Sequence, residues 1–103
     1  MRIPISSRQS AAVVNAGNSV VGIIIMNSSP TDVFVDTDQR LLDTVDSFNL
    51  PQNGVRFPTG MPAPVAIPFF TGILYARAQT DTFLDLIPFA ISPIGVNPIC
   101  LNG

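Results

Sequence analysis

Apolar and polar residues alternate over short stretches through much of this chain, most clearly from Ile73 to Ile87. That stretch reads Ile-Leu-Tyr-Ala-Arg-Ala, then Gln79-Thr80-Asp81, then Thr-Phe-Leu-Asp-Leu-Ile. Period-two alternation places Leu74, Ala76 and Ala78 on one face of the first run and Ile73, Tyr75 and Arg77 on the other. In the second run Leu84 and Leu86 oppose Phe83, Asp85 and Ile87. Two such runs joined by a short polar link predict a β-hairpin. A lone hairpin is marginal in water, so further strands must cover it.

Upstream, Ala11 to Ala16 and Val20 to Met26 flank the turn-prone Asn15-Ala16-Gly17-Asn18, which predicts another hairpin. Val20 to Met26 is apolar on both faces, the pattern of a strand covered on both sides by a second sheet or a neighbouring subunit. Gly22 within it predicts a bulge or a close backbone approach. Thr31 to Asp36 alternates with Val33 and Val35 inward. Thr37 or Asp38 is placed to cap one or two helical turns carrying Leu41, Leu42 and Val45, the alternative being a loop between sheets. Val45 to Leu50 reads as a strand, Pro51-Gln52-Asn53-Gly54 as a tight turn, and Val55 to Phe57 as a short strand. Prolines stiffen Pro58 to Pro64 into a rim loop, and Pro68 makes Val65 to Phe70 an edge strand because it lacks the ladder donor.

Both ends read differently from the middle. Arg2 to Ser10 predicts an extended arm in which Ile3 and Ile5 face the same way; it is either a frayed terminus or an arm that docks on an acidic neighbour through Arg2 and Arg8. After Ile87 come Pro88, Pro93 and Pro98 with apolar residues between them, which forbids helix and argues against a solvated tail. This tail lies over its own domain or in a groove of a neighbouring subunit. The predicted organisation is an arm over 1–10, a β domain over 11–87 and a tail over 88–103. The fold class is all-β, an antiparallel β-sandwich or jelly-roll-like domain of about six to eight short strands.

Composition narrows the function classes. A chain of 103 residues holds one core, and its 10 Pro and 7 Gly oppose long helices. Every acid is Asp and every base is Arg, with a net charge of -2, and the stretches Gln9 to Thr31, Phe57 to Ala76 and Leu86 to Gly103 carry no charge at all. Such faces are either buried against partners or solvated by Ser, Asn and Thr. With no His, Lys or Glu and a single Cys, the usual nucleophile–base pairs cannot be assembled, so neither enzymatic activity nor a cofactor is expected. Asp36-Thr37-Asp38 opens like a calcium loop, but Arg40 holds the fifth position and no Glu closes it. Cys100 has no partner in the chain and reads as a buried thiol. The scattered Arg residues form no basic stripe for nucleic acid. Ala11 to Met26 is interrupted by Asn15, Gly17, Asn18 and Ser19 and falls short of the roughly 20 apolar residues of a membrane span. Pro4 and the polar run Ser6 to Ser10 likewise interrupt any signal-peptide core.

The order Asn27-Ser28-Ser29-Pro30-Thr31-Asp32-Val33-Phe34-Val35, then Phe48-Asn49-Leu50-Pro51 before a Gly turn, then Thr71-Gly72-Ile73-Leu74-Tyr75-Ala76-Arg77-Ala78, resembles small β-sandwich modules of tailed-phage virion proteins. The resemblance covers about residues 20 to 87 and carries over no functional residue. It implies a non-enzymatic virion protein assembled in the host cytoplasm, of the capsid decoration (cement) or head-fibre type. It further implies a homo-oligomer, a trimer, that contacts the major capsid protein. The residues expected at interfaces are Arg2, Ile3, Ile5 and Arg8 in the arm and Phe89, Ile91, Ile94, Val96 and Ile99 in the tail. The alternative is a tail or fibre module for attachment, binding a receptor or glycan through the loops Asp36 to Asp43 and Pro58 to Pro64.

Overall fold

Six antiparallel strands form one curled sheet in the computed structural model, which describes residues 1–90. They are β1 (Arg2–Ile5), β2 (Ala11–Met26), β3 (Val33–Asp36), β4 (Val55–Phe57), β5 (Val65–Ala78) and β6 (Thr82–Ala90), with one helix, α1 (Gln39–Leu42), after β3. Their order across the sheet is β1-β6-β2-β5-β3-β4. The chain is therefore all-β. In place of two packed sheets, the described residues roll a single sheet over one core cluster to which every strand contributes, from Ile5 on β1 to Leu86 on β6. The curl brings the Ala78 N–H at the end of β5 to the carbonyl of Ser6, 3.3 Å away, although β6 and β2 lie between β1 and β5 in the sheet.

The stretch Ile73 to Ile87 is not a hairpin. Its two runs are strands, and Leu74, Ala76, Ala78, Leu84 and Leu86 all point inward as their alternation predicts. β5, however, pairs with β2 and β3, while β6 pairs with β1 and β2. Gln79-Thr80-Asp81 is thus an arch, and the two strands meet through side chains across the core. Alternation fixes which face of a strand is buried and says nothing of which strand lies beside it. The arch is pinned to the other end of the chain by Asp81, whose Oδ1 accepts from the Ser7 N–H at 2.8 Å.

Nor does the chain turn at Asn15 to Asn18. β2 runs straight through, with Gly17 (φ 59°) set opposite Gly72 (φ 86°) on β5. Left-handed glycines facing each other let both strands bend together, and the ladder slips register on either side of them. The slips change which positions point inward, from Val14 before the bend to Ile23 and Ile25 after it. The strand expected over Val45 to Leu50 is also absent. Asp46 Oδ1 accepts from the Phe48 and Leu50 N–H groups, both at 2.9 Å, and folds the segment into a turn that leaves only a Val45–Pro51 bridge. The short helix is where the capping residues place it: Asp38 Oδ1 accepts from the Arg40 N–H at 3.0 Å.

At the ends, the expected arm is the outer strand of the sheet, β1, paired with Thr82 to Asp85. The expected tail begins inside β6, because Pro88, Phe89 and Ala90 pair with Ile23, Gly22 and Val21. Pro68 and Pro88 both sit where their strand has a neighbour on one side only, as edge prolines do. The Leu86 N–H donates to the Met1 carbonyl at 2.8 Å, so even-numbered residues of β6 point their backbone groups to the outer edge. Pro88 therefore leaves its missing donor on that edge.

Two buried polar groups tie the loops to the sheet. Fully buried Asn27 donates through Nδ2 to the carbonyls of Thr31 (2.9 Å) and Phe57 (2.7 Å), and its Oδ1 accepts from the N–H (3.0 Å) and hydroxyl (2.7 Å) of Ser29. Arg77, 5% exposed, donates to Asp43 Oδ1 (3.1 Å), the Ser7 carbonyl (2.9 Å) and Asn49 Oδ1 (3.0 Å). These contacts hold the β1–β2 connection and two points of the α1–β4 connection against β5.

Candidate assembly surface

The uncharged stretches of the sequence converge in space. Val20 to Met26 of β2 pairs on one side with Val65 to Phe70 of β5 and on the other with Asp85 to Ala90 of β6. Apart from Asp85 at its base, this three-stranded finger is built from segments without a charged residue. The described residues measure 53 × 28 × 17 Å, and every charged side chain lies outside the rest of the finger.

Its two faces differ. On the outer face Gly22 lies opposite Phe89, and a side chain at Gly22 would run into the Phe89 ring, so the aromatic covers the strand where no Cβ stands. The close approach expected at Gly22 is this one. Phe89 remains 43% exposed, Ile87 beside it 54%, and Phe69 at the β5 irregularity 72%. On the inner face Val65, Ile67 and Phe70 continue from the core into an open groove of about 440 Å³. The far wall of the groove is Val35 on β3 with Val55 and Phe57 on β4. Large apolar side chains are thus exposed on both faces of one uncharged region.

The residues expected at interfaces are divided by the fold. Phe89 stands on the finger. Ile5 is 3% exposed and belongs to this chain's own core, and Ile3 packs against that core. Arg2 pairs within the chain: its Nε and Nη2 donate to Asp85 at 2.9 and 3.2 Å, and its guanidinium lies 4.0 Å from the centre of the Phe83 ring. Arg8 is exposed beside the Asp81 arch. Ile91, Ile94, Val96 and Ile99 lie outside the described residues. Phe69, Ile87, Val65 and Ile67 were not singled out from the sequence. The signal for them was the overlap of two uncharged runs with Pro68-Phe69-Phe70 and with the strand that ends at Pro88.

The carboxylates have local structural uses. Asp36 Oδ1 accepts from the Asp38 N–H at 2.9 Å, and Asp38 both caps α1 and pairs with Arg40. Among the described residues no three metal-ligating side chains come together. The hydrogen bonds from Arg2, with the one from the Ser28 hydroxyl, hold the Asp85 carboxyl below its ordinary pKa against the opposing effect of burial. A carboxylate with a depressed folded-state pKa stabilises the fold fully above the unfolded value, about pH 4, and loses that contribution as pH falls through the folded value. Asp85→Asn is therefore expected to lower the melting temperature by a few degrees at pH 7, a gap that closes on acidification. Thermal melts of the two proteins from pH 7 to pH 2.5 check this; a gap unchanged at the acid end would remove the assignment.

No family model, curated protein or solved structure matches the chain.

Proposed function

We propose that this protein is a non-enzymatic structural component that assembles with copies of itself, as a trimer, through the uncharged finger. The observation that carries the reading is the convergence of three chargeless segments on one apolar, partly exposed part of the sheet. A monomer surface normally intersperses charges of both signs, whereas a face permanently buried against a partner has no need of them. Obligate interfaces bury upwards of about 2,000 Å² in total, and an apolar finger with two faces suits that class.

The virion setting rests on the resemblance of Asn27 to Ala78 to tailed-phage β modules. On that reading the protein is a capsid decoration (cement) protein whose second partner is the major capsid protein. It stabilises the head by burying surface between subunits. Its position in a purified particle, repeated over the capsid lattice or confined to the tail vertex, separates decoration from attachment.

The assembly reading is tested with a double variant, Phe69→Asp with Ile87→Asp. Both side chains are well exposed, so the variant should keep its circular dichroism spectrum and melt cooperatively. Light scattering should then give the mass of a single chain where the wild type gives an oligomer. An oligomer of unchanged mass in the variant would refute assembly through the finger.

A further inference from the structure

We propose that Asn53-Gly54 is a site of spontaneous covalent modification, at which the folded chain converts Asn53 to aspartate and isoaspartate and so loosens β4. The pair lies in the connection from α1 to β4, with Gly54 exposed and Asn53 half-buried. The residues on either side are anchored: the Gln52 N–H donates to the Thr44 carbonyl at 3.0 Å, and Val55 pairs with Val35. Between these anchors the Gly54 N–H has no acceptor among the described residues. Gly54 has a φ of 99°, and a Cβ there would stand 2.9 Å from both the Val35 carbonyl oxygen and Leu42 Cδ2. Only glycine fits. The fold therefore requires, next to Asn53, the residue that puts no side chain in the way of its own backbone nitrogen. The Asn53 side chain is held by a single long hydrogen bond, from Nδ2 to the Leu41 carbonyl at 3.3 Å. Other asparagines differ. Asn27 and Asn49 use both ends of their amides, and Asn15 and Asn18 lie within β2 and are followed by Ala16 and Ser19.

The Gly54 nitrogen gives up its proton and bonds to the side-chain amide carbon of Asn53, closing a succinimide ring. The bond from that carbon to Nδ2 breaks, and the nitrogen leaves with the proton as ammonia. Water then opens the ring at either carbonyl. Opening at the side-chain carbonyl gives aspartate in an ordinary main chain, whereas opening at the main-chain carbonyl gives isoaspartate. One water is consumed and no oxidant or second substrate takes part. The attack is intramolecular, so geometry sets its rate. Both products disturb the same place. Aspartate sets a negative oxygen against the Leu41 carbonyl where a donor stood. Isoaspartate adds a methylene to the main chain between Gln52 and Val55, and the close packing of Gly54 on Val35 and Leu42 leaves no room to absorb it. β4 yields, because it has three residues and its one neighbour in the sheet is β3. Val55 and Phe57, which wall the groove, move with it.

The full-length wild type is incubated at mildly alkaline pH, folded and in parallel unfolded in urea, then digested and mapped by mass spectrometry with a separation that resolves aspartate from isoaspartate. Asn102-Gly103, the second such pair in the chain, falls in a different peptide and is mapped separately. The expected result is conversion at position 53 of the folded protein within about threefold of its rate in urea, as for a segment that opens at almost no cost, while positions 15, 18, 27 and 49 keep their amides. The converted protein should melt about 4 °C lower or more and exchange its Val55 to Phe57 amides faster. Asn53→Gln keeps an amide but closes no succinimide, so after the same incubation it should hold its starting melting temperature. A position 53 that stays intact in the folded protein while it converts in urea would overturn the proposal, because the fold then protects the pair. Full conversion with unchanged melting, or an equal loss in Asn53→Gln, would overturn the assignment of the loosening to this site.

Discussion

Asn27→Asp changes no volume, and it is expected to cost about 3–5 kcal/mol of folding stability at pH 7. Asn27 is fully buried and uses both ends of its amide, Nδ2 towards the Thr31 and Phe57 carbonyls and Oδ1 towards Ser29. A carboxylate preserves the accepting end. At the other end it sets a negative oxygen against two carbonyl oxygens with no water to screen them. Burial raises the pKa of the new acid, and a proton taken up there restores one of the two lost donors. Since the folded state then binds more protons than the unfolded one, the loss of stability should shrink as pH is lowered from 7 towards 5. Urea denaturation of the wild type and variant at both pH values provides the measurement. A midpoint shift worth less than about 0.5 kcal/mol would show that the amide is not the tie described, since exposed substitutions stay within that range.

The second large effect is expected at the other buried polar group. Arg77→Met keeps much of the side-chain length but removes donors to Asp43, Ser7 and Asn49, and should cost about 2–4 kcal/mol. The upper part of the range for breaking a buried ion pair does not apply, because the Asp43 side chain is 38% exposed and water can take over its oxygens. Asn49 also donates to the Ser7 carbonyl at 2.6 Å and Asp43 still accepts from the Ser10 N–H at 2.8 Å, so some loop contacts survive. The variant should melt about 8–32 °C lower, taking about 4–8 °C per kcal/mol for a domain of this size. Limited proteolysis should cut first within 43–50, where the lost contacts lie. Arg77→Lys should recover only part of the difference, because a single ammonium cannot reach three acceptors in a planar fork. Full recovery by Lys would show that charge alone matters at this position.

The burial pattern was legible in the sequence and the pairing was not. Val33, Val35, Leu74, Ala76, Ala78, Leu84 and Leu86 are all inside, as period-two alternation predicts. Neighbours were misassigned where a local turn signal competed with a longer partner. Asn15 to Asn18 has the composition of a hairpin turn, but Gly72 on a distant strand offers the matching left-handed residue, and the two strands bend together. Gln79-Thr80-Asp81 is short enough for a hairpin, yet β2 is long enough, at 16 residues, to pair with both β5 and β6 and so comes between them. Val45 to Leu50 has the apolar content of a strand, and its backbone donors are taken by Asp46, a side chain suited to turns. The candidate surface was half legible. The chargeless stretches pointed to Phe89, whereas Phe69, Ile67 and Ile87 are brought to the two sides of β2 only through long-range pairing that no local pattern encodes. Ile3 and Ile5 show the converse, since their alternation is equally that of an outward-facing arm and of a core-facing edge strand.

The missing donor at Pro88 bears on how large an assembly can grow. Identical chains polymerise edge to edge when each offers two receptive strand edges, one to give and one to take, and growth then has no natural end. Along β6 beyond Leu86 the proline interrupts the row of backbone donors. A ladder begun at that edge therefore stalls. Apolar faces can still meet through their side chains, but such a contact extends no backbone ladder. Copies of this chain that met along β6 could therefore not extend one continuous backbone ladder past Pro88.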